Sequence, residues 1–320
     1  MQIISAGMKI VFLDKKTIGE VSNLNLIHRL GEVEMYDNTL PEEVVERAAG
    51  KDVIITNKVV IDKKHMDELP DLKLICIAAT GMNNVNVDYA GKKGIETKNV
   101  VAYSTDSVAQ TTFAMLLYLL NRLSYYDAYV KSSAYGRSQI FTHHGPGFWE
   151  LAGKRFGIIG LGNIGRRVAK IAEGFGMEVV FFSTTGRNNN INYKRFDLDT
   201  LLKTSDVVSI HAPLTELTEN LITYEKLKLM RRCAILLNTG RGGIVNEQDL
   251  VRALNENLIA SAGLDVLTQE PISQDSPLLK VMDKDKILVT PHIAWATIEA
   301  RERLIEKIAK NIEAFMREQT

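Results

Sequence analysis

Ten short apolar runs, each followed by a polar, helix-compatible stretch, recur along this chain and leave few folds open to it. Four come first: KIVFL (9–13), EVEMY (32–36), DVIIT (52–56) and LKLICIA (72–78). Six follow from Arg155: RFGIIG, EVVFFS (178–183), DVVSIHA (206–212), AILLNT (234–239), LIASAGLDV (258–266) and KILVTP (286–291). Strands that read as continuous apolar runs are buried on both faces, so each series predicts a parallel sheet covered by helices. The chain is therefore expected to be α/β, with two doubly wound units, and its 320 residues suit two domains. Between the series a helical pattern runs from Thr105 to about Lys131 through AMLLYLLNRL, expected as one mostly uninterrupted helix bridging the domains. Segment 133–150, rich in glycine, aromatics and histidine, is expected as an ordered arm packed on something. Pro41-Glu42-Glu43 ahead of Val44 reads as a helix start, Ile164–Phe175 as a helix, and Ile298–Met316 as an amphipathic helix returning to the first domain.

Composition narrows the partners. Lys+Arg and Asp+Glu are 39 each, so neither a nucleic-acid nor an anionic-membrane footprint is present, and the expected partner is a small molecule. Hydrophobic residues at 45% and charged residues at 24% argue against disorder. Cys76 and Cys233 both sit in apolar runs and are expected as buried thiols in a reduced compartment, with no disulfide framework and no metal site. The longest apolar stretch, Ala114–Leu120, falls far short of the roughly 20 residues of a membrane helix. MQIISAGMKI lacks a basic region and a long apolar core, so a cytoplasmic location is expected, with Met8 a plausible natural start.

Gly160-Leu161-Gly162-Asn163-Ile164-Gly165 follows a strand and opens a helix, the context in which G-x-G-x-x-G binds a dinucleotide. Gly160 permits the tight turn, Gly162 lets backbone approach a pyrophosphate, and Gly165 lets the helix pack close to the strand. The acid that takes the adenosine ribose should follow about 20 residues on. Ser183 stands there instead, and Ser183-Thr184-Thr185-Gly186-Arg187 offers hydroxyls and a guanidinium that suit a 2′-phosphate. A solvated Arg187 is the alternative. NAD or NADP is thus the expected cofactor, with NADP acceptance suggested by Ser183 and Arg187.

Three further segments each place one ionisable residue just beyond a predicted strand: NTGRGG (238–243), DVLTQEP (265–271) and TPHIA (290–294). Carboxyl ends of parallel strands are where such sheets bind ligands. Arg241, flanked by glycines, is free to meet a carboxylate with both prongs, and His292 facing Glu270 would have its ring proton held. With the glycine fingerprint these suggest hydride transfer at a carbonyl beside a carboxylate.

GLGNIG, HAPL (211–214), NTGRGGIVNE (238–247), GLDV with QEP (263–271) and TPHIAWAT (290–297), in this order, resemble the D-isomer-specific 2-hydroxyacid dehydrogenases over essentially the whole chain. ATGMNNVNVD (79–88) and YSTDSVAQ (103–110) resemble the glycerate dehydrogenase/hydroxypyruvate reductase group within it. The resemblance implies a Rossmann cofactor domain (106–295) inserted in a flavodoxin-like substrate domain (1–105 and 296–320), the two closing on hinges near 103–107 and 294–297. It implies that Arg241 binds the substrate carboxylate and polarises the keto oxygen, that His292 is the general acid/base, and that Glu270 is its partner. Cofactor contacts are implied at Gly160, Gly162, Asn163, Ile164, Gly165, Ser183, Thr184, Arg187, His211, Ala212, Pro213 and Thr239, with Asp265 on the nicotinamide carboxamide. Amides around Thr80 and Gly81 would hold the substrate carboxylate, and Met82 and Trp295 would line a small pocket.

D-glycerate/hydroxypyruvate is the expected substrate pair, with D-lactate or another 2-ketoacid as the alternative. C-terminal-binding-protein corepressors, which act as NAD(H)-gated scaffolds, also carry a Trp after the corresponding His, as in His292-Ile293-Ala294-Trp295. Zero net charge and the absence of an extended tail weigh against that role. Tyr135, Phe141, Phe148 and Trp149 are a heavy aromatic load for an irregular arm, so a homodimer through the arm and the long helix is expected.

Overall fold

The computed structural model describes residues 7–188 and 190–319. Most of the N-terminal stretch read as lacking a signal, and Asn189 of the polar loop after Ser183, lie outside the described residues. The chain forms two compact units, one of residues up to Ser104 together with Ala296 onward, the other of Thr105–Trp295.

The first unit holds β1 (Met8–Phe12), β2 (Gly31–Met35), β3 (Val53–Thr56), β4 (Leu74–Ile77) and β5 (Glu96–Lys98), all parallel in the order β2-β1-β3-β4-β5. That is the flavodoxin-like order. All four residues of β3 and of β4 are buried, as continuous apolar runs require. Helices α1 (Asn25–His28), α2 (Val44–Ala48), α3 (Lys63–Asp67) and α4 (Val87–Lys92) link the strands. Pro41–Glu43 forms a 3₁₀ turn leading into α2, with the Glu43 carboxylate accepting the Leu40 amide at 2.8 Å. The C-terminal helix, Ile298–Glu318, belongs to this unit and buries Leu304, Ile305, Ile308, Ile312 and Phe315. At the end of β1 the buried Asp14 carboxylate accepts the backbone amides of Asn57, Lys58 and Val59, tying β1 to the loop after β3. Burial pushes its pKa up, against the pull of those bonds.

The second unit holds β6 (Arg155–Ile159), β7 (Glu178–Phe182), β8 (Lys194–Arg195), β9 (Val207–Ile210), β10 (Ile235–Asn238), β11 (Ser261–Leu264) and β12 (Ile287–Val289). The order is β12-β11-β10-β9-β6-β7-β8, again all parallel, and β6 stands at the point where the winding reverses. Counted within the unit this is the dinucleotide-binding order extended by one strand. Its helices are α5 (Thr105–Leu120), α6 (Leu123–Lys131), α7 (Asn163–Gly174), α8 (Leu198–Thr204), α9 (Tyr224–Leu227) and α10 (Glu247–Asn255).

Two expectations are corrected. The helix expected over Thr105–Lys131 breaks at Asn121-Arg122, where Arg122 takes a left-handed φ of 51° and the Asn121 side chain donates to the Leu117 carbonyl at 3.0 Å. α5 buries Phe113, Leu116 and Leu120 in the core of its unit, whereas α6 buries none of its residues, so the two segments answer to different environments. Cys233 is exposed because it lies in the turn before the run that begins at Ala234, whereas Cys76 in β4 is buried and its thiol is pushed up to about 12.

The arm is irregular apart from a 3₁₀ turn at Tyr135–Arg137, and it folds onto α6. His143 stacks on Tyr129 with ring centres 3.8 Å apart and shares a 2.9 Å hydrogen bond with the Tyr125 hydroxyl. Phe141 remains 90% exposed. Among the described residues no helix is long and apolar enough to cross a membrane.

Candidate active site

Every motif singled out in the second half of the sequence lies at a carboxyl end of the second sheet. Gly160 follows β6 with φ +92°, and a Cβ there would come within 2.8 Å of the Ala212 amide. Gly165 lies so near β6 that its Cβ would meet the Gly160 carbonyl oxygen at 2.4 Å. Gly162, which caps α7, is the opposite case, since a Cβ there meets nothing within 4 Å. Open space above the amides of the first turn of a twelve-residue helix is what a pyrophosphate requires, so these residues fit a dinucleotide. Asn163 and Ile164 form that first turn, and Asn163 Oδ1 accepts from Arg166 at 2.6 Å.

Ser183, at the end of β7, is buried, and its hydroxyl accepts the Asn188 amide at 3.3 Å. The turn closes through the Gly186 amide on the Ser183 carbonyl at 3.2 Å, leaving Thr184 half-buried and Arg187 exposed. Two residues that the sequence reading missed hold this loop. Asn188 donates to the Leu161 carbonyl inside the glycine motif at 2.8 Å, and Arg195 on β8 donates to the Gly186 carbonyl at 2.9 Å. Neither has a local signal, because each works through a distant backbone carbonyl.

His211 follows β9 and turns its ring inward. Its Nε2 meets the Ser209 hydroxyl at 2.9 Å and its Nδ1 the Thr239 hydroxyl at 3.3 Å, while burial pushes its pKa down to about 3. The ring is neutral at working pH. Ala212 is buried against the Gly160 turn, and the exposed Pro213 lends its carbonyl to Thr218 at 2.7 Å. Thr239 is buried and also bonds Thr112 at 3.1 Å.

Arg241, Glu270 and His292 come from the loops after β10, β11 and β12, three neighbouring parallel strands. Asn238, at the end of β10, donates to the Arg241 carbonyl at 2.8 Å and accepts the Gly240 amide at 3.0 Å, which fixes the loop. The Arg241 guanidinium donates to the Gly240 carbonyl at 2.8 Å, and no carboxylate of the described residues pairs with it. Glu270 is held on both oxygens, Oε1 accepting the Leu267 amide at 2.9 Å and Oε2 meeting His292 Nδ1 at 2.7 Å. That contact makes Nδ1 the donor to the carboxylate and leaves Nε2 as the ring nitrogen that Glu270 does not engage.

Asp265 does more than its expected contact would need. One oxygen accepts the Thr290 hydroxyl at 2.6 Å and the Ile293 amide at 2.9 Å, and the other accepts the Ala294 amide at 2.9 Å. Its carboxylate thus clamps the loop that carries His292. Burial raises the Asp265 pKa, against these hydrogen bonds and the charge of His292. Trp295 is the next residue after the clamped Ala294 and is half-buried.

Thr80, Gly81 and Met82 lie in the first unit, beyond the end of β4. The Thr80 hydroxyl donates to the Val100 carbonyl at 2.9 Å, and Asn99 donates to the Thr80 carbonyl at 2.7 Å. Gly81 is half-buried and Met82 is 37% exposed.

Known proteins resemble this chain in sequence and in fold. The sequence model of the family described as D-isomer specific 2-hydroxyacid dehydrogenase, NAD binding domain, matches residues 113–294. A glycerate dehydrogenase of Methylorubrum extorquens is 38% identical over 310 residues, covering 96% of each chain. A hydroxypyruvate reductase of Blautia hydrogenotrophica is 36% identical over 317 residues, covering 97% of each. Among solved structures, an acyclic imino acid reductase (Bsp5) in complex with NADPH and D-Arg superposes with a TM-score of 0.87 at 30% identity, covering 97% of this chain and 98% of that one.

Proposed function

Because the chain belongs to the D-isomer-specific 2-hydroxyacid dehydrogenases and is thus an NAD(P)-linked oxidoreductase of 2-hydroxyacids and 2-ketoacids, we propose that it interconverts D-glycerate and hydroxypyruvate. The observation that carries the chemistry is the 2.7 Å contact of Glu270 with His292 Nδ1, on loops neighbouring one that presents an Arg241 without a carboxylate partner among the described residues.

A nicotinamide cofactor, when bound, supplies or takes up the hydride. Glu270 fixes the imidazole with Nε2 forward, so that protonated His292 gives its proton to the keto oxygen in reduction and neutral His292 takes it back in oxidation. Arg241 holds the substrate carboxylate with two parallel hydrogen bonds and places positive charge beside the oxygen as its negative charge develops. Asp265 keeps His292 in place through the Thr290 hydroxyl on one side of it and the Ile293 and Ala294 amides on the other. Thr80, Gly81, Met82 and Trp295 are assigned to the substrate by the family pattern.

The names of the two curated relatives support glycerate and hydroxypyruvate over D-lactate. NADPH acceptance is supported by Ser183 in place of an acid and by the solved NADPH complex of the imino acid reductase. A homodimer through the arm is supported by the exposure of Val130, Ile140, Phe141 and Phe148 on one stretch of chain. The two free cysteines favour a cytoplasmic location, which cell fractionation checks.

The deciding experiment is turnover of hydroxypyruvate, glyoxylate, pyruvate and longer 2-ketoacids, each with NADH and NADPH, in the parent and in His292→Ala. Hydroxypyruvate should show the highest kcat/KM, and the variant should bind cofactor normally while losing roughly 10²–10⁴ in kcat. Unchanged turnover in the variant removes His292 from the mechanism, and a clear preference for pyruvate moves the assignment to D-lactate.

A further inference from the structure

The loops that present Arg241 and Glu270 touch each other. A Cβ on Gly242 would lie 1.8 Å from the Leu267 carbonyl oxygen, 2.1 Å from its carbon and 2.7 Å from the Thr268 nitrogen, so the backbone after Arg241 rests directly on the backbone that leads to Glu270. Beside this contact Glu247 Oε1 accepts the Thr268 amide at 2.7 Å. Glu247 is itself well anchored as the first residue of α10. The preceding Asn246 caps that helix through the Asp249 amide at 3.1 Å and donates its own amide to the Ile222 carbonyl at 3.0 Å. On the other side of Thr268, the Leu267 amide is the group that holds Glu270 Oε1, and Glu270 Oε2 meets His292.

We propose that Glu247 and Gly242 form a brace that fixes the Glu270–His292 pair relative to Arg241, with Glu247 a positioning residue acting through Thr268 and Leu267. The inference rests on the proposed roles of those three residues. Without the brace, the 267–268 segment is fastened to the neighbouring loop by neither a hydrogen bond nor steric contact, and Glu270 loses the fixed amide that aims it. A hydrogen bond from one backbone amide to a side-chain oxygen, added to the Gly242 backbone contact, is enough to hold a short loop in register. Misplacing a catalytic group by about 1 Å costs up to roughly 10²-fold in rate, so partial loosening should cost about ten-fold.

A competing explanation is available for Glu247, since an acid in the first turn of a helix stabilises it through the dipole. The two differ in what glutamine does. Glu247→Gln keeps an acceptor oxygen for the Thr268 amide and removes the charge, whereas Glu247→Ala removes both. The parent, both variants, Glu270→Gln and the Glu247→Ala/Glu270→Gln double variant are assayed with hydroxypyruvate and NADPH, and amide hydrogen exchange at Thr268 is followed in the cofactor-bound proteins. The brace predicts kcat about ten-fold lower in Glu247→Ala with cofactor affinity within two-fold, near-parent kcat in Glu247→Gln, and a double variant little worse than Glu270→Gln alone. Thr268 should exchange fast only where residue 247 is alanine. Gly242→Ala should lower kcat in the same direction by forcing the loops apart. Equal losses in Gln and Ala, full additivity in the double variant, or protected Thr268 in Glu247→Ala would each overturn the brace. If no 2-ketoacid is turned over by the parent while Thr268 exchange follows the predicted order, the functional reading fails and the brace stands.

Discussion

His211→Asn tests whether a motif histidine is held neutral inside the second unit. The hydrogen-bond pattern fixes its tautomer. Thr112 donates to the Val108 carbonyl at 2.8 Å, so its oxygen must accept from Thr239. Thr239 has then spent its proton and accepts from His211 Nδ1, which leaves Nε2 to accept from Ser209. With the pKa pushed down to about 3 by burial from an ordinary value of 6.5, the unfolded chain binds this proton across an interval where the native protein does not. The contribution is therefore fully present above pH 6.5 and is lost progressively as pH falls toward the native pKa. Inside the interval the slope approaches about 1.4 kcal/mol per pH unit, and between pH 6.5 and 4.5 the native state should lose about 2 kcal/mol from this group alone. Asparagine can donate and accept but cannot be protonated. Trp149 and Trp295 are the two tryptophans of the chain and both lie in the second unit, so urea unfolding followed by their fluorescence reports on it. Without cofactor, the parent should lose about 2 kcal/mol more than His211→Asn over that range, other titrating groups cancelling in the difference. Equal losses, or an NMR titration of His211 near pH 6.5, would refute the buried neutral ring.

Arg241→Lys should raise KM for hydroxypyruvate and lower kcat together, because an ammonium keeps the charge and loses the two-pronged geometry; a ketone without a carboxylate proving the better substrate of the parent would remove this role. Ser183→Asp should depress kcat/KM for NADPH more than for NADH, and Arg187→Ala should act in the same direction; a parent with strong NADH preference whose ratio neither variant moves would show that the loop does not read the ribose. Solution scattering at micromolar concentration should return the mass of two 35.7 kDa chains, and a monomer mass would sink the dimer.

The interior of both sheets was legible because its residues answer to one demand, burial on two faces. The apolar runs containing β3, β4, β9 and β10 mark fully buried strands, and the predicted runs match them to within two residues at each end. Two of the four edge strands are different. β5 is the half-buried Glu-Thr-Lys and β8 the exposed Lys-Arg, neither with an apolar side chain, so nothing in their sequence separates them from loop. The break after α5 was equally silent, since neither Asn121 nor Arg122 is a glycine or proline and the left-handed turn is chosen by what each helix packs against. At the site, glycines and charged residues beyond strand ends could be read directly. The contacts of Asp265, Glu247, Asn188 and Arg195 could not, because each side chain meets backbone at least nine residues away in sequence, and only the fold supplies that address.

The placement of His292 shows why so much of the chain serves one loop. Its φ is +54°, a conformation that costs a residue with a side chain of order 1 kcal/mol or more and persists only where surrounding bonds dictate it. Those bonds are present. The His292 amide donates to the Asp265 and Thr290 carbonyls at 2.9 Å each, and the Asp265 carboxylate takes the Thr290 hydroxyl on one flank and the Ile293 and Ala294 amides on the other. Asp265 is in turn pinned to the sheet, its own amide donating to the Asn238 carbonyl at 3.0 Å, and Asn238 holds the Arg241 loop. A strained histidine and a glycine-flanked arginine are therefore referred to the same pair of adjacent strand ends, β10 and β11. Rigid strands hold such ends with small displacements, so two groups proposed to act on one carbonyl inherit a spacing that mobile loops alone would not maintain.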